Sequence, residues 1–274
     1  MSDPVAGGAQ RLRDAGVDNP RLDARLLWEH AQRIQRSALV AYDRRDHIFN
    51  KLIARRAARE PLAYITGHKE FWSLDFEVGT GCLIPRPDTE TLIEELRRIV
   101  PGKAAPLSIL DLGTGSGCIL IAALSECPNA HGVGIDSSSE ALGWAARNVR
   151  AHRLEDRASL IQTAWLEEAS PGFDVVLSNP PYVASGDIAT LEPEVRDHEP
   201  RAALDGGPDG LDAYRALSTR IGPLLRPGGH ALLEIGSCQA SAVIALMAAG
   251  NLEVLRTVKD LAQIPRAIVA RRNQ

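Results

Sequence analysis

The sequence predicts an α/β chain: a doubly wound, mostly parallel sheet preceded by a small helical domain. Three observations carry this reading. The first sixty or so residues place apolar side chains at helical spacing. At Leu74–Val78 the period changes, with Leu74, Phe76 and Val78 alternating with Asp75 and Glu77 as in a half-buried strand. From residue 107 onward short apolar runs alternate with helical patterns, the order that buries a parallel sheet between two layers of helices.

The composition suits such a fold. Of 274 residues, 45% are apolar and 24% charged, ordinary for a globular protein and unlike a disordered or low-complexity chain. No apolar run approaches the roughly 18 residues that span a bilayer. The N-terminus lacks the apolar core and cleavage pattern of a secretory signal, so a cytoplasmic protein is expected. Cys82, Cys118, Cys127 and Cys238 form no C-x-x-C pair and have no histidine at zinc spacing. Buried free thiols in a reducing compartment, and no metal, are therefore expected. The net charge of −4 argues against a protein that lives mainly on nucleic acid. Residues 1–80 hold 13 Lys and Arg against 11 Asp and Glu, and the remainder 18 against 24, so the N-terminal part is mildly basic.

In chain order, Asn19-Pro20 reads as an N-cap with proline at the first helical position. Leu22, Leu26, Leu27 and Trp28 follow as an apolar stripe. Asp46 to Arg59 reads as a second helix with Ile48, Phe49, Leu52 and Ile53 inward and Lys51, Arg55, Arg56 and Arg59 outward. A bundle this small needs a partner surface. The half-buried strand lies in a hairpin connection punctuated by Gly67, Gly79 and Gly81. Asp88 then caps a helix bearing Leu92, Ile93, Leu96, Ile99 and Val100, stopped by Pro101-Gly102. Seven candidate strands follow at 107–112, 131–136, 158–162, 174–178, 230–235, 252–258 and 266–271, with helices at 117–126, 138–152, 211–225 and 238–249. The domain organisation is thus 1–66 helical, 67–86 hairpin linker and 87–274 α/β domain.

The first of these strands breaks into Gly113-Thr114-Gly115-Ser116-Gly117, a loop whose glycines let backbone N–H groups approach a ligand. The pattern is G-x-G-x-G. Cys118 stands where a dinucleotide fingerprint needs a small residue, and the G-K-S/T of a phosphate loop is absent. The loop therefore suits a nucleoside without a phosphate chain. The second strand ends in Asp136, whose two oxygens can accept both ribose hydroxyl protons. Alone, Asp136 suits a helix N-cap equally well; coupled to the loop, it points to a ribose. Together they resemble the S-adenosylmethionine site of a class I methyltransferase, in which Trp165, after the third strand, stands near the adenine or packs in the core.

The fourth strand ends in Asn179-Pro180-Pro181-Tyr182. Two prolines cannot continue a central strand, so the chain turns rigidly at the carboxyl edge of the sheet, where ligands of open α/β folds bind. Methylation of a planar NH2 group needs such a turn. The nitrogen lone pair is delocalised and must be aimed at the methyl donor. Two acceptors, the Asn179 side-chain oxygen and the Pro180 carbonyl, can hold the two hydrogens. Tyr182 would stack on the flat group and exclude water.

The chain resembles the HemK-type peptide-chain release factor glutamine methyltransferases. The blocks that carry the resemblance are Pro20–Ala24, Glu70–Leu74, Leu83–Glu90, the glycine loop with Asp136 and Asn179–Tyr182, then Pro193–Pro200 and Leu204–Gly207. It implies a seven-stranded methyltransferase sheet, a helical N-terminal domain that recognises the substrate and a β-hairpin linker. It also implies methyl transfer from S-adenosylmethionine to the side-chain nitrogen of the glutamine in the Gly-Gly-Gln motif of class I release factors. Gly113 to Gly117, Asp136, Trp165 and Asn179 would then bind the cofactor. Asn179, Pro180, Pro181 and Tyr182 would hold the glutamine, with Asn179, Pro180 and Tyr182 carrying the catalysis. Ala164 stands where many relatives carry an acid. Arg86 would orient Glu90 or another acid near the pocket, or form a surface pair. Residues 183–210, rich in charge, Gly and Pro, form either a lid beside the pocket or a solvated excursion. The nearest rival is methylation of the exocyclic amine of adenine in DNA, which needs base flipping and a basic recognition region. A cofactor-binding module without catalysis would not need the intact tetrapeptide. Neither nucleic acid nor membrane is an expected partner.

Overall fold

A computed structural model describes residues 3–37, 45–100, 102, 104–163 and 171–273. Pro101, Ala164 and Trp165 lie outside the described residues. The chain divides into two units, residues 1–68 with 192–198, and residues 69–191 with 199–274.

The first unit holds helices α1 (Pro4–Asp14), α2 (Pro20–Ser37), α3 (Arg45–Ala57) and α4 (Leu62–Thr66), joined by α8 (Pro193–His198) from far along the chain. Asp3 caps α1 through the Val5 N–H, and Gly67, at φ 78°, ends α4. Leu12, Leu27 and Ile53 are fully buried, and Trp28 sets its edge on Phe49 at 5.1 Å. Each large side chain buried in this way stabilises by about 1.5–3 kcal/mol. The expected stripe on α2 is displaced: Leu22 is 53% exposed, while Asp23, Ala24, Leu27 and Ala31 face inward. Buried Asp23 accepts from Arg56 Nε at 2.7 Å. Arg56 also bonds Glu194 of α8 at 2.7 Å, and Arg59 bonds the same carboxylate at 2.6 Å. Arg56 and Arg59 therefore do not form the outward basic face expected from their spacing, and Arg55 is engaged by Glu60. Burial alone would raise the Glu194 carboxyl, but its bonds from Arg59 and Arg56 outweigh this and hold it below the usual range.

The second unit opens on a hairpin, β1 (His68–Phe71) and β2 (Leu74–Glu77). Its two-residue turn is Trp72-Ser73, at φ 55° and 58°. Both central residues are left-handed, as in a type I′ turn, which ordinarily selects Asn and Gly. Here side chains compensate: Glu90 accepts the Trp72 N–H, Glu70 accepts the Ser73 N–H and Glu126 accepts the Trp72 indole N–H.

The sheet that follows is seven-stranded, in the order β5-β4-β3-β6-β7-β9-β8. Its strands are β3 (Ser108–Leu112), β4 (His131–Asp136), β5 (Ala158–Gln162), β6 (Phe173–Ser178), β7 (Leu225–Glu234), β8 (Leu252–Lys259) and β9 (Pro265–Arg272). Strands β3 to β7 run parallel, and β9 is antiparallel to both of its neighbours. β7 begins at Leu225, earlier than the periodicity predicts, because Pro227 and Gly228 interrupt the alternation at a register shift opposite Phe173–Val175. Helices α9 (Asp212–Leu224) and α10 (Ala240–Ala249) cover one face, where Tyr214, Leu217, Ile221, Val243 and Met247 meet Leu110, Leu112, Val176 and Ile268. α5 (Glu90–Ile99), α6 (Cys118–Glu126) and α7 (Ser139–Ala151) form the other layer. Cys118–Leu124 of α6 are apolar and buried on every side, as such a stretch must be. The expected cap on α5 is replaced by a 3-10 turn at Pro87–Thr89, in which the Thr89 side chain makes no capping bond. Cys82, Cys118 and Cys127 are buried free thiols, whereas Cys238 is exposed.

Asn148 of α7 joins three segments. Its Oδ1 accepts from Glu77 N at 2.7 Å, and its Nδ2 donates to Glu77 O at 3.0 Å and Ser116 O at 2.9 Å. Asn148→Leu is expected to strand these buried backbone groups, each at about 1–3 kcal/mol. The melting temperature should then fall by several degrees, at roughly 2–4 °C per kcal/mol for a unit of this size. Scanning calorimetry showing an unchanged melting temperature would remove the bracing role. Among the described residues, no helix is long and apolar enough to cross a membrane, and no group of three or more His, Cys, Asp or Glu is placed to hold a metal.

Candidate active site

The strand order reverses at β3. β4 and β5 lie to one side and β6 to the other, so the ends of β3 and β6 stand together, with Leu112 beside Ser178. Such a switch point leaves a crevice at the carboxyl edge. Both the glycine loop and Asn179 emerge into it.

Gly113, Gly115 and Gly117 have φ of 73°, 55° and 80°, a left-handed path that side-chain-bearing residues resist. The Gly113 and Thr114 N–H groups both bond the Ile135 carbonyl at 2.9 Å, which holds the loop across the end of β4. Asp136 completes the tie. Its Oδ2 accepts from Gly115 N and its Oδ1 from Ser138 N, each at 2.9 Å. The N-cap of α7 is Ser138, whose hydroxyl accepts from Ala141 N. Asp136 is thus no helix cap, and a carboxylate oxygen with one donor still has a lone pair to offer. Beneath the loop, Asp111 accepts from Thr114 Oγ1 at 2.6 Å. Burial pushes the Asp111 carboxyl up to about 7 against that hydrogen bond.

A cavity collects Gly113, Thr114, Gly115, Ser116, Asp136, Asn179 and Pro181 on its wall. Gly117, Pro180 and Tyr182 are not among the lining residues. A Cβ on Gly117 would meet Ala145 and Ile121 at 3.3 Å, so this glycine lets α6 and α7 approach. The Tyr182 hydroxyl points to Glu234 Oε1 at 3.3 Å. Burial, then the Glu234 charge, pushes that phenol up to about 12.

Several cavity residues carry roles that local pattern does not reveal. Pro200, Ala202 and Ala203 line the cavity, so part of the 183–210 segment is wall rather than solvated excursion. Glu199 anchors it: its carboxylate accepts from Ile84 N at 3.0 Å and from Arg86 Nη2 at 2.5 Å, with the side chain 1% exposed. Arg86 thus pairs with Glu199, not with Glu90. Thr89 also lines the cavity, and its Oγ1 lies 3.2 Å from Asn179 Nδ2. The Leu83–Glu90 and Pro193–Pro200 blocks contain these residues, but no spacing rule pairs them.

A seven-stranded sheet of this order, with a glycine loop, a strand-end acid and Asn-Pro-Pro-Tyr converging at its switch point, defines a class I methyltransferase. Comparison with known proteins agrees. A model of the PrmC N-terminal domain matches residues 5–67, and one of the methyltransferase small domain matches residues 87–193. The release factor glutamine methyltransferase of Caulobacter vibrioides is 46% identical over 96% of this chain and 93% of its own length. That of Rhodospirillum rubrum is 45% identical over 97% and 83%. A methyltransferase of Pyrococcus furiosus shares the fold, with TM-score 0.55 at 16% identity over 81% of this chain and 98% of its own. The chain belongs to the release factor glutamine methyltransferase family.

Proposed function

We propose that this enzyme transfers a methyl group from S-adenosylmethionine to the side-chain amide nitrogen of the glutamine in the Gly-Gly-Gln motif of class I peptide-chain release factors, in the cytoplasm. The observation that carries the reading is the meeting of the Asp136-tied glycine loop with Asn179 on one cavity wall.

The residues present fit the cofactor. Asp136 has one lone pair free on each oxygen beyond its two loop bonds, which suits a vicinal diol. The left-handed glycines leave backbone, rather than side chain, facing the ligand. S-adenosylmethionine supplies an electrophilic sulfonium methyl when bound. Gly113, Thr114, Gly115, Ser116 and Asp136 hold it, with Gly117 setting the helix that follows, and the family resemblance assigns Trp165 to the adenine. Asn179 Oδ1 and the Pro180 carbonyl accept the two hydrogens of the substrate amide and aim its lone pair. Pro181 keeps the turn rigid, and Tyr182 closes the site beside the flat group. Positioning of this kind can lower a barrier by up to about 7–11 kcal/mol. Once the nitrogen is alkylated, one of its protons is released to solvent. No metal is needed for these steps, and neither nucleic acid nor membrane is a partner.

The test is incubation with methyl-labelled cofactor and purified release factor, followed by peptide mass mapping. Label on the Gly-Gly-Gln glutamine is expected; label on adenine in duplex DNA instead would overturn the assignment. A Gly-Gly-Gln loop offers few side chains to read, so the helical residues 1–66 serve as a second contact with the body of the substrate, and two linked contacts multiply effective concentration. A short Gly-Gly-Gln peptide should accordingly show kcat/KM at least about tenfold below that of the intact factor. Equal efficiency on both would remove the recognition role of the helical unit.

A further inference from the structure

The two prolines after Asn179 make its turn rigid but do not anchor it. Neither Pro180 nor Pro181 has an N–H to give to a neighbouring segment. Gln239, in the connection between β7 and α10, supplies an anchor. It occupies the N-cap position of α10, where Ser, Thr, Asn or Asp would stabilise the helix, yet its side chain makes no capping bond. The side chain turns to the tetrapeptide instead. Its Nε2 donates to the Tyr182 carbonyl at 2.9 Å and to the Gly210 carbonyl at 3.1 Å, and its Oε1 accepts from Gly236 N at 3.0 Å.

These partners fix the direction of the amide. A carbonyl only accepts and a backbone N–H only donates. Reversing the amide would set its oxygen against two carbonyl oxygens and its NH2 against an N–H. The surroundings leave room for this side chain and for little else. A Cβ on Gly210, where φ is 74°, would collide with the Tyr182 carbonyl oxygen and stand 2.6 Å from Gln239 Nε2. One on Gly236 would stand 2.8 Å from Gln239 Oε1. The far end of the same tyrosine, its hydroxyl, meets Glu234 Oε1 at 3.3 Å, so the segment from Glu234 to Gln239 grips Tyr182 at both ends. Gln239, Gly210 and Gly236 are not among the residues lining the cavity that Gly113 and Asn179 share.

We propose that Gln239 is a positioning residue for methyl transfer: by holding the Tyr182 and Gly210 carbonyls together it sets where the Asn-Pro-Pro-Tyr turn stands, and with it the Asn179 and Pro180 acceptors of the substrate amide. This inference rests on the methyl-transfer reading above. The route from Gln239 to the acceptors is short. Pro181 fixes φ in the link between the Pro180 and Tyr182 carbonyls, so a shift at one is passed to the other rather than absorbed. A misplacement of about 1 Å at a reacting centre can cost about a hundredfold in rate.

Single-turnover labelling of the release factor by the full chain, well below its melting temperature, is the first test. Gln239→Met keeps the length and removes all three bonds. Its rate should fall about ten- to a hundredfold, with the dissociation constant of S-adenosylhomocysteine unchanged. Gln239→Glu keeps the acceptor for Gly236 and loses both donors, so it should lose at least as much. In an Asn179→Ala background Gln239→Met should cost much less than in wild type, because residues that act as a unit are not additive. A brace that only stabilises the fold would lower the melting temperature and leave the rate intact. A wild-type rate in either folded variant therefore overturns the proposal, as does full additivity with Asn179→Ala or a loss of cofactor affinity that accounts for the slower rate. The second test needs neither turnover nor substrate. In the wild-type chain both side-chain NH2 protons of Gln239 should exchange slowly with solvent, and in Gln239→Glu the Asn179 side-chain resonances should move. Fast exchange, or Asn179 resonances that stay in place, overturns the proposal. Wild type that transfers no label while showing slow exchange and the Asn179 shift would count against the methyl-transfer reading and leave the anchoring of the turn standing.

Discussion

Asn179→Ala is expected to lower kcat by at least about 10²–10³-fold, the usual cost of deleting one preorganised acceptor or donor at a reacting centre. The unreactive amide of the substrate is the reason. Its lone pair is available to the methyl donor only when both hydrogens are held and the nitrogen is presented end-on. Asn179 leaves a rigid Pro-Pro turn beside the glycine loop, and its amide is anchored through Thr89, so little reorganisation accompanies the reaction. Alanine leaves the Pro180 carbonyl as the remaining acceptor and lets water into the gap. The fold should survive, because Asn179 is only half-buried and follows β6 rather than lying in it. Asn179→Asp is the sharper probe. It keeps an acceptor but places a charge in the cavity, at a desolvation cost, and it loses the donor to Thr89. Single-turnover kinetics with circular dichroism as the fold control would measure both. Near wild-type turnover by the alanine variant would make the tetrapeptide structural.

Asp136→Ala is expected to weaken cofactor binding by about 10²-fold or more. Hydrogen bonds to a charged group are worth roughly 1.5–3 kcal/mol each, and about 1.4 kcal/mol is tenfold in affinity. The structure adds a second cause to the lost ribose contacts. The carboxylate holds Gly115 N and Ser138 N, so its removal also frees the glycine loop. Asp136→Asn separates the two effects, because its amide keeps one acceptor oxygen but turns a donor toward the other N–H. Titration calorimetry with S-adenosylhomocysteine is the measurement. An unchanged dissociation constant in a folded alanine variant would place the ribose elsewhere.

Much of the frame is legible in local pattern. The candidate strands at 131–136 and 158–162 coincide with β4 and β5, and the helix read at 211–225 is α9 to within one residue at each end. Apolar alternation and helical spacing are read off consecutive residues, and so is a turn enforced by two prolines. The Trp72-Ser73 turn was hidden because its left-handed residues carry no glycine or asparagine; glutamates from other segments compensate the strain. Arg56 and Arg59 read as a solvent face because their buried partner, Glu194, lies far along the chain. The same distance conceals that residues 192–198 belong with the helical unit.

Short-range forces, which act between neighbours along the chain, settle the α/β class, the glycine loop, the strand-end acid and the tetrapeptide. The residues that hold and orient those groups were decided by tertiary structure alone. Glu199 reaches Arg86, Asn148 reaches both Glu77 and Ser116, and Asn179 reaches Thr89. A hydrogen bond between distant residues has no period and no fixed spacing. It exists because a particular strand order brings two backbone ends together, and burial there makes an unpaired polar group too costly to leave.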